Sequence, residues 1–157
     1  MPCILEDIMK KIISALLLLV VVFSLASCFE QSYSAASLKS GLEKGGYTVV
    51  ENPTIVNLET SKMEGLKTVL YGYKTVDGKE AGVLLLVFDN IDHASEVSNG
   101  TYGSDGTVRA TETMSLLNDW GRKHSLTDDP CFGTANNVVW AGDKAARIAS
   151  GIKILTD

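Results

Sequence analysis

The side chains best suited to nucleophilic chemistry are one cysteine and two histidines, Cys131, His124 and His93. A cysteine nucleophile needs a histidine base within hydrogen-bonding distance and usually a third group that orients the base. His124 precedes Cys131 by seven residues, but no signature of a cysteine hydrolase surrounds the pair. A half-buried structural cysteine and a histidine at a helix end, where its charge suits the helix dipole, account for the same residues. We favour this second interpretation.

A metal site would need clustered ligands, and the sequence has neither Cys-x-x-Cys nor His-x-x-x-His spacing. Asp89, Asp92 and His93 could contact a cation at a strand end, but acidic residues before a helix more often cap it. The loop GTYGSDG, residues 100–106, lacks the spacing of phosphate-binding fingerprints and is interpreted as a connector. The sequence therefore predicts no metal site, no cofactor and no catalytic residue.

Four aromatic residues are the remaining candidates for a contact surface: Tyr71, Tyr73, Trp120 and Trp140. If Tyr71 and Tyr73 lie on a sheet face that the helices leave uncovered, they form a flat amphipathic surface. Such a surface suits contact with a protein, a glycan or a small ligand. The competing interpretation, which we favour, is that these rings pack in the core.

An apolar run, LLLLVVVFSLASC, extends from Leu16 to Cys28. Lys10 and Lys11 precede it and small residues end it, which is the pattern of a secretory signal. The run is shorter than the roughly 20 residues that a membrane-spanning helix needs. An uncleaved membrane helix and an ordinary signal peptide that happens to contain cysteine remain the alternatives. Since Glu6 and Asp7 lie where the positive region of a signal belongs, we expect the leader to begin at Met9.

The segment Leu25-Ala26-Ser27-Cys28 resembles the lipobox of bacterial lipoproteins. The resemblance implies that the Cys28 thiol receives a diacylglyceryl group and that the leader is cut before this residue. Membrane lipid is then a partner through acylated Cys28, since two acyl chains provide stable anchoring where one does not. The implied location is the extracytoplasmic face of the cell membrane. In this class an Asp directly after the lipidated cysteine can signal retention in the inner membrane. Residue 29 is Phe and not Asp, so the outer membrane is an alternative location.

The predicted organisation is a signal peptide over residues 1–27, a lipidated cysteine and tether over 28–36, and one globular domain over 37–157. Removing the leader takes away two acidic and two basic residues, so the net charge of −5 is unchanged. This mild acidity argues against nucleic acid as a partner, because phosphate binding needs clustered Lys and Arg. Cys131 would remain as a lone free thiol, which is typical of a fold stabilised by its core and not by disulfides.

The hydrophobic pattern predicts helices around Leu38 and Leu42, over residues 92–98, over Val108–His124 and over residues 144–152. It predicts strands over Tyr47–Val50 and Asn137–Ala141, and two strands of a hairpin around Asp77-Gly78. Residues 58–67 are ambiguous and are compatible with a short helical turn. The second hairpin strand, Val83–Phe88, is apolar on both faces, so we expect it in the middle of the sheet.

These elements predict an α+β domain with about four strands in a mainly antiparallel sheet packed by helices, and a ferredoxin-like arrangement is one solution. With a lipobox and no reaction motif, the sequence favours a non-catalytic role. The expected partners are an envelope protein or a small ligand, besides membrane lipid. The alternative is a small surface hydrolase or modifying enzyme without a visible motif.

Overall fold

A computed structural model describes residues 32–99, 110–127 and 131–154, which belong to one compact unit, Ser32–Asp157. The predicted signal peptide and the lipobox lie outside these described residues. Within the described ranges, no helix has both the length and the apolar character needed to cross a membrane.

The elements of the described residues are, in chain order, α1 (Ala35–Lys44), β1 (Thr48–Glu51), a 3-10 turn (Thr60–Lys62), β2 (Leu66–Val76), β3 (Lys79–Phe88), α2 (Ile91–Asn99), α3 (Ala110–Lys123), β4 (Phe132–Ala135), β5 (Val138–Gly142) and α4 (Lys144–Ser150). The strands form one sheet in the order β1-β2-β3-β5-β4, and every neighbouring pair is antiparallel. The predicted α+β class and antiparallel sheet are confirmed.

Strand β3 occupies the centre of the sheet, as its apolar character on both faces predicts. All residues from Ala81 to Phe88 are buried. Asp77 and Gly78 both have positive φ, 49° and 77°, and form the tight turn that joins β2 to β3. The Asp-Gly pair therefore sets the register in which Thr75 faces Glu80 and Tyr73 faces Gly82.

The sheet has five strands, one more than the sequence predicts, and a ferredoxin-like sheet has four. The additional strand is β4, whose residues FGTA are few and include a glycine, so they carry no clear alternating pattern. It forms because Asn136, with φ of 50°, and Asn137 turn the chain back into β5. Strand β5 is thereby hydrogen-bonded on both sides, to β3 and to β4, and β4 is an edge strand of the sheet.

Helices cover both faces of the sheet. Helices α1 and α4 pack on one face, where Leu38, Leu42 and Ala146 meet alternate residues of the strands, including Leu85 and Trp140. Helices α2 and α3 pack on the other face. Its buried residues include Leu84, Leu86, Ala94, Val97 and Leu117, and Leu58 and Met63 from the segment before β2 join them.

The folded unit begins earlier than the predicted tether allows. Ser34 caps α1 by accepting a hydrogen bond from the Ser37 amide, and the helix begins at Ala35. The Tyr33 amide donates to Asn137 Oδ1 at 2.7 Å, while Asn137 Nδ2 donates to the Tyr33 carbonyl at 3.0 Å and to the Phe88 carbonyl at 2.8 Å. We call this set of three hydrogen bonds the Asn137 clasp. It fixes the segment that precedes α1, residues 32–34 and called here the N-terminal segment, to the turn between β4 and β5.

Candidate functional site

Three of the four candidate aromatic residues lie together. Tyr71 stacks on Tyr73 with ring centroids 5.0 Å apart, and it meets Trp120 edge-on with centroids 5.2 Å apart. Tyr71 and Tyr73 are two residues apart on β2 and therefore share a face, while Trp120 approaches from α3. All three side chains are partly exposed.

Trp140 does not belong to this group. It lies on the opposite face of the sheet, only 2% exposed, with the Arg147 guanidinium over its ring at 5.1 Å. The expectation that Trp140 shares a contact surface with the other three is wrong, because its position in β5 directs it toward α1 and α4. For this residue the core interpretation is correct.

His124 joins the aromatic group, although the sequence did not single it out as part of that surface. Its ring stacks on Trp120 with centroids 3.8 Å apart and an interplanar angle of 17°. Its Nδ1 lies 2.7 Å from the Trp120 carbonyl oxygen, so the ring satisfies a carbonyl at the end of α3. The His124 carbonyl accepts a hydrogen bond from the Gly82 amide, which ties the end of α3 to β3.

Glu80 completes the group at its polar edge. The Tyr71 hydroxyl donates a hydrogen bond to Glu80 Oε1, and His124 Nε2 lies 3.7 Å from the same oxygen. Burial, followed by this hydrogen bond, raises the pKa of the Tyr71 phenol. The Glu80 side chain is still 49% exposed, so it can accept further hydrogen bonds from a ligand. We call Tyr71, Tyr73, Trp120, His124 and Glu80 the aromatic surface.

The premise of a bare sheet face is not met, because α2 and α3 cover the face that carries Tyr71. The aromatic surface lies where that cover ends, so Tyr71 and Trp120 pack on the core with one side and remain partly exposed on the other. Two sequence signals pointed to the residues that were missed. The spacing of Trp120 and His124 places both on one helix stripe, and the Asp-Gly turn places Glu80 on the face of Tyr71 and Tyr73.

Cys131 and His124 do not form a catalytic pair. Cys131 is 5% exposed, and its Sγ lies 3.6 Å from both the backbone oxygen and the side-chain Oδ1 of Asn118. The two nitrogens of His124 face the Trp120 carbonyl and Glu80. The structural interpretation of both residues, a packed thiol and a histidine at a helix end, is the one observed.

His93 lies in a second polar group at the start of α2. Its Nδ1 is 2.7 Å from Asp89 Oδ1, and its Nε2 is 4.0 Å from Glu64 Oε1. The hydrogen bond to Asp89 raises the pKa of His93, and the same bond lowers the pKa of Asp89. Asn90 Oδ1 accepts a hydrogen bond from the His93 amide at 2.9 Å and so caps the start of α2.

Within the described ranges, no three side chains of His, Cys, Asp or Glu are grouped so that they could hold a metal ion. The chain matches no protein-family model, no curated protein and no solved structure. The chemistry of its own residues is therefore the guide to its function. Among the residue groups described above, the aromatic surface has the composition most typical of a ligand-binding site.

Proposed function

We propose that the chain is an exported bacterial lipoprotein, anchored to the cell membrane through acylated Cys28, whose folded unit binds an envelope protein or a small ligand. The role is non-catalytic. Support for the anchor comes from the lipobox residues 25–28 and the apolar run before them. Support for the binding role comes from the aromatic surface.

The single observation that carries the binding role is the partial exposure of stacked rings beside a carboxylate. Rings that serve only the core are fully enclosed, as Trp140 is. Tyr71, Tyr73 and Trp120 instead keep part of their surface in contact with solvent, next to the exposed oxygens of Glu80. Aromatic rings with polar atoms at their edges are the side chains most enriched where proteins bind partners.

The state of the candidate catalytic groups also supports a binding role. The Cys131 thiol is buried against Asn118, and His124 is held by Trp120 and Glu80. A nucleophile in use would need its base within hydrogen-bonding distance. The side chains of the aromatic surface can instead donate, accept and stack without any change in covalent structure.

The anchor is tested by labelling a bacterium that expresses the full chain with a radioactive fatty acid. The wild-type protein should incorporate the label, and Cys28→Ala should abolish incorporation. Cys131→Ala is the matched control and should keep the label, because that thiol is enclosed by the fold. Incorporation that survives Cys28→Ala would refute the lipid assignment.

The binding role is tested with a photo-activated phenylalanine analogue placed at Tyr73 of the full chain in intact cells. Irradiation should give one discrete adduct, and the mass added to the peptide distinguishes a protein from a glycan or a small molecule. The same analogue at Val56, a residue 77% exposed outside the aromatic surface, is the control and should give none. No adduct at Tyr73, or the same adduct at both positions, would contradict the proposal.

A further inference from the structure

The N-terminal segment is attached at one end of the sheet. The Asn137 clasp joins Tyr33 to the turn that precedes β5 and to the carbonyl of Phe88, the last residue of β3. The Tyr33 hydroxyl adds a second attachment, since it accepts a hydrogen bond from the Lys153 amide at 3.3 Å. The chain therefore enters the fold at the end where β3 finishes.

Only four residues, 29–32, separate Cys28 from Tyr33. A fully extended chain advances at most about 3.6 Å per residue, so the five steps from Cys28 to Tyr33 span no more than about 18 Å. The clasp shortens the usable tether, because it holds Tyr33 and prevents residues 33–36 from extending. A lipid on Cys28 would hold the clasp within this distance of the bilayer surface.

The aromatic surface lies toward the other end of the sheet. Glu80 is the second residue of β3 and Phe88 is the last, so eight residue steps lead from one to the other. At about 3.4 Å per residue in an antiparallel strand, this corresponds to about 27 Å. His124 stays at the Glu80 end, because its carbonyl accepts the Gly82 amide. Tyr73, opposite Gly82, is six steps or about 20 Å from the level of Phe88, whereas Tyr71, opposite Leu84, is four steps or about 14 Å from it. The Glu80 and Tyr73 side of the aromatic surface therefore lies farther from the clasp than the tether can reach.

We propose that the end of the sheet bearing the Asn137 clasp faces the lipid bilayer and that the aromatic surface points away from it, toward the envelope. The proposal rests on the lipid anchor at Cys28 proposed above. It assigns the bilayer surface as the partner of the clasp end, which includes Tyr33, Asn136 and Lys153. The aromatic surface is then available to a ligand that is not part of the anchoring membrane leaflet.

The test measures how close each end comes to the lipid. Lys153→Cys marks the clasp end and Lys79→Cys marks the hairpin end; both lysines are exposed, so the two changes are matched in charge and setting. Each is made in the full chain with Cys131→Ser, expressed in a bacterium, purified from its membranes and labelled with a nitroxide. The protein is then reconstituted in phosphatidylcholine vesicles that contain a nickel-chelating lipid, and the nickel-induced relaxation of each nitroxide is recorded.

The nitroxide at position 153 should relax several-fold faster than the one at position 79. Equal rates, or a faster rate at position 79, would overturn the orientation. The intact mass of the purified protein separates this failure from a failure of the anchor. A diacylated Cys28 with the wrong rates refutes the orientation alone, whereas a mass without lipid refutes the anchor and the orientation with it.

Discussion

The ring of Tyr71 lies across Gly82 of the neighbouring strand, and this position lets its hydroxyl reach Glu80. A Cβ atom at residue 82 would lie 2.8 Å from Tyr71 Cε2 and 3.0 Å from the Gly72 carbonyl oxygen. The contact with Tyr71 is too short for two carbon atoms, so the ring would have to move, and the contact with the Gly72 oxygen is tight. The absence of a side chain at residue 82 is therefore what allows Tyr71 and Glu80 to meet.

Gly82→Ala should displace the Tyr71 ring and lower the free energy of unfolding by about 1–3 kcal/mol, measured by urea denaturation. The matched comparison is the same change in a Tyr71→Ala background, where the ring no longer occupies the space. The cost of Gly82→Ala should be smaller there, with the remainder due to the Gly72 carbonyl. An equal cost in both backgrounds would show that the ring does not lie over Gly82.

In the folded protein, Tyr71 should ionise at a higher pH than an ordinary tyrosine. Burial raises the pKa of its phenol, with the hydrogen bond to Glu80 as the second cause. The stability that this provides is fully present below the ordinary tyrosine pKa of about 10, and it is lost as pH rises through the raised value. Absorbance is recorded against pH for the folded wild type and for Tyr71→Phe. The difference between the two titration curves should show the ionisation of Tyr71 at this raised pH.

Glu80→Gln is the control for the cause of that shift. It removes the carboxylate and leaves the burial of the ring, so the Tyr71 pKa should fall only part of the way toward its ordinary value. A complete return to the ordinary value would show that Glu80, and not burial, dominates. No change would show that the two side chains do not interact in solution.

The pKa of His93 should be above the ordinary histidine value and should depend on Asp89. The hydrogen bond to Asp89 is the largest cause, and Glu64 acts from a greater distance. Asp89→Asn should therefore lower the His93 pKa more than Glu64→Gln does. Titration of the imidazole signals by nuclear magnetic resonance measures both, and the reverse order would contradict the arrangement described.

The same pair sets a window for stability. His93 has a raised pKa, so its contribution is complete below about pH 6.5 and is lost as pH rises through the raised value. Asp89 has a lowered pKa, so its contribution is complete above its ordinary value of 3.8 and is lost as pH falls through the lowered one. Denaturation of the wild type and of His93→Gln should differ most between these limits. A difference that is the same at pH 5 and pH 9 would argue against the ion pair.

The Cys131 thiol should react slowly with a thiol reagent in the native protein and rapidly in denaturant. It is 5% exposed, and Asn118 contacts its sulfur. Reaction in native buffer at the rate of a free thiol would instead restore the thiol to the set of candidate nucleophiles. The protein with both Cys3→Ala and Cys28→Ala serves as the reference, because Cys131 is then its only cysteine.

The parts of the fold that local sequence chemistry controls could be predicted. The Asp77-Gly78 turn requires positive φ at both residues, and β3 carries no polar residue from Ala81 to Phe88, so the hairpin and its central position were both expected. Strand β4 could not be predicted. Its four residues gain their place from pairing with β5, which is an interaction that short-range periodicity does not report.

The aromatic surface was predicted only in part, for a similar reason. Tyr71 and Tyr73 share a strand face, which the sequence shows directly. The arrival of Trp120 and His124 on that face depends on how α3 packs across the sheet. Trp140 is aromatic like the other candidates, but side chains alternate along β5, and its side chain lies on the opposite face of the sheet. Residue type indicated candidates, and register decided which of them meet.

Asn137→Ala should lower the free energy of unfolding by about 1–3 kcal/mol, because it leaves the buried carbonyl of Phe88 and the amide of Tyr33 without their partners. Asn99→Ala, at an exposed helix end, is the control and should change it by less than about 0.5 kcal/mol.

Asn137→Asp should cost more than Asn137→Ala at neutral pH. Its carboxylate keeps the acceptor for the Tyr33 amide but faces the carbonyl oxygens of Phe88 and Tyr33, to which Asn137 Nδ2 donates. Burial against these oxygens should raise the pKa of the new acid, so the extra cost should shrink as pH falls and the acid is protonated.

Hydrogen exchange at the Tyr33 amide should accelerate in Asn137→Ala relative to Asn99→Ala. Unchanged exchange at Tyr33 would mean that the N-terminal segment is held by other contacts, and the short tether on which the membrane orientation depends would have no structural basis.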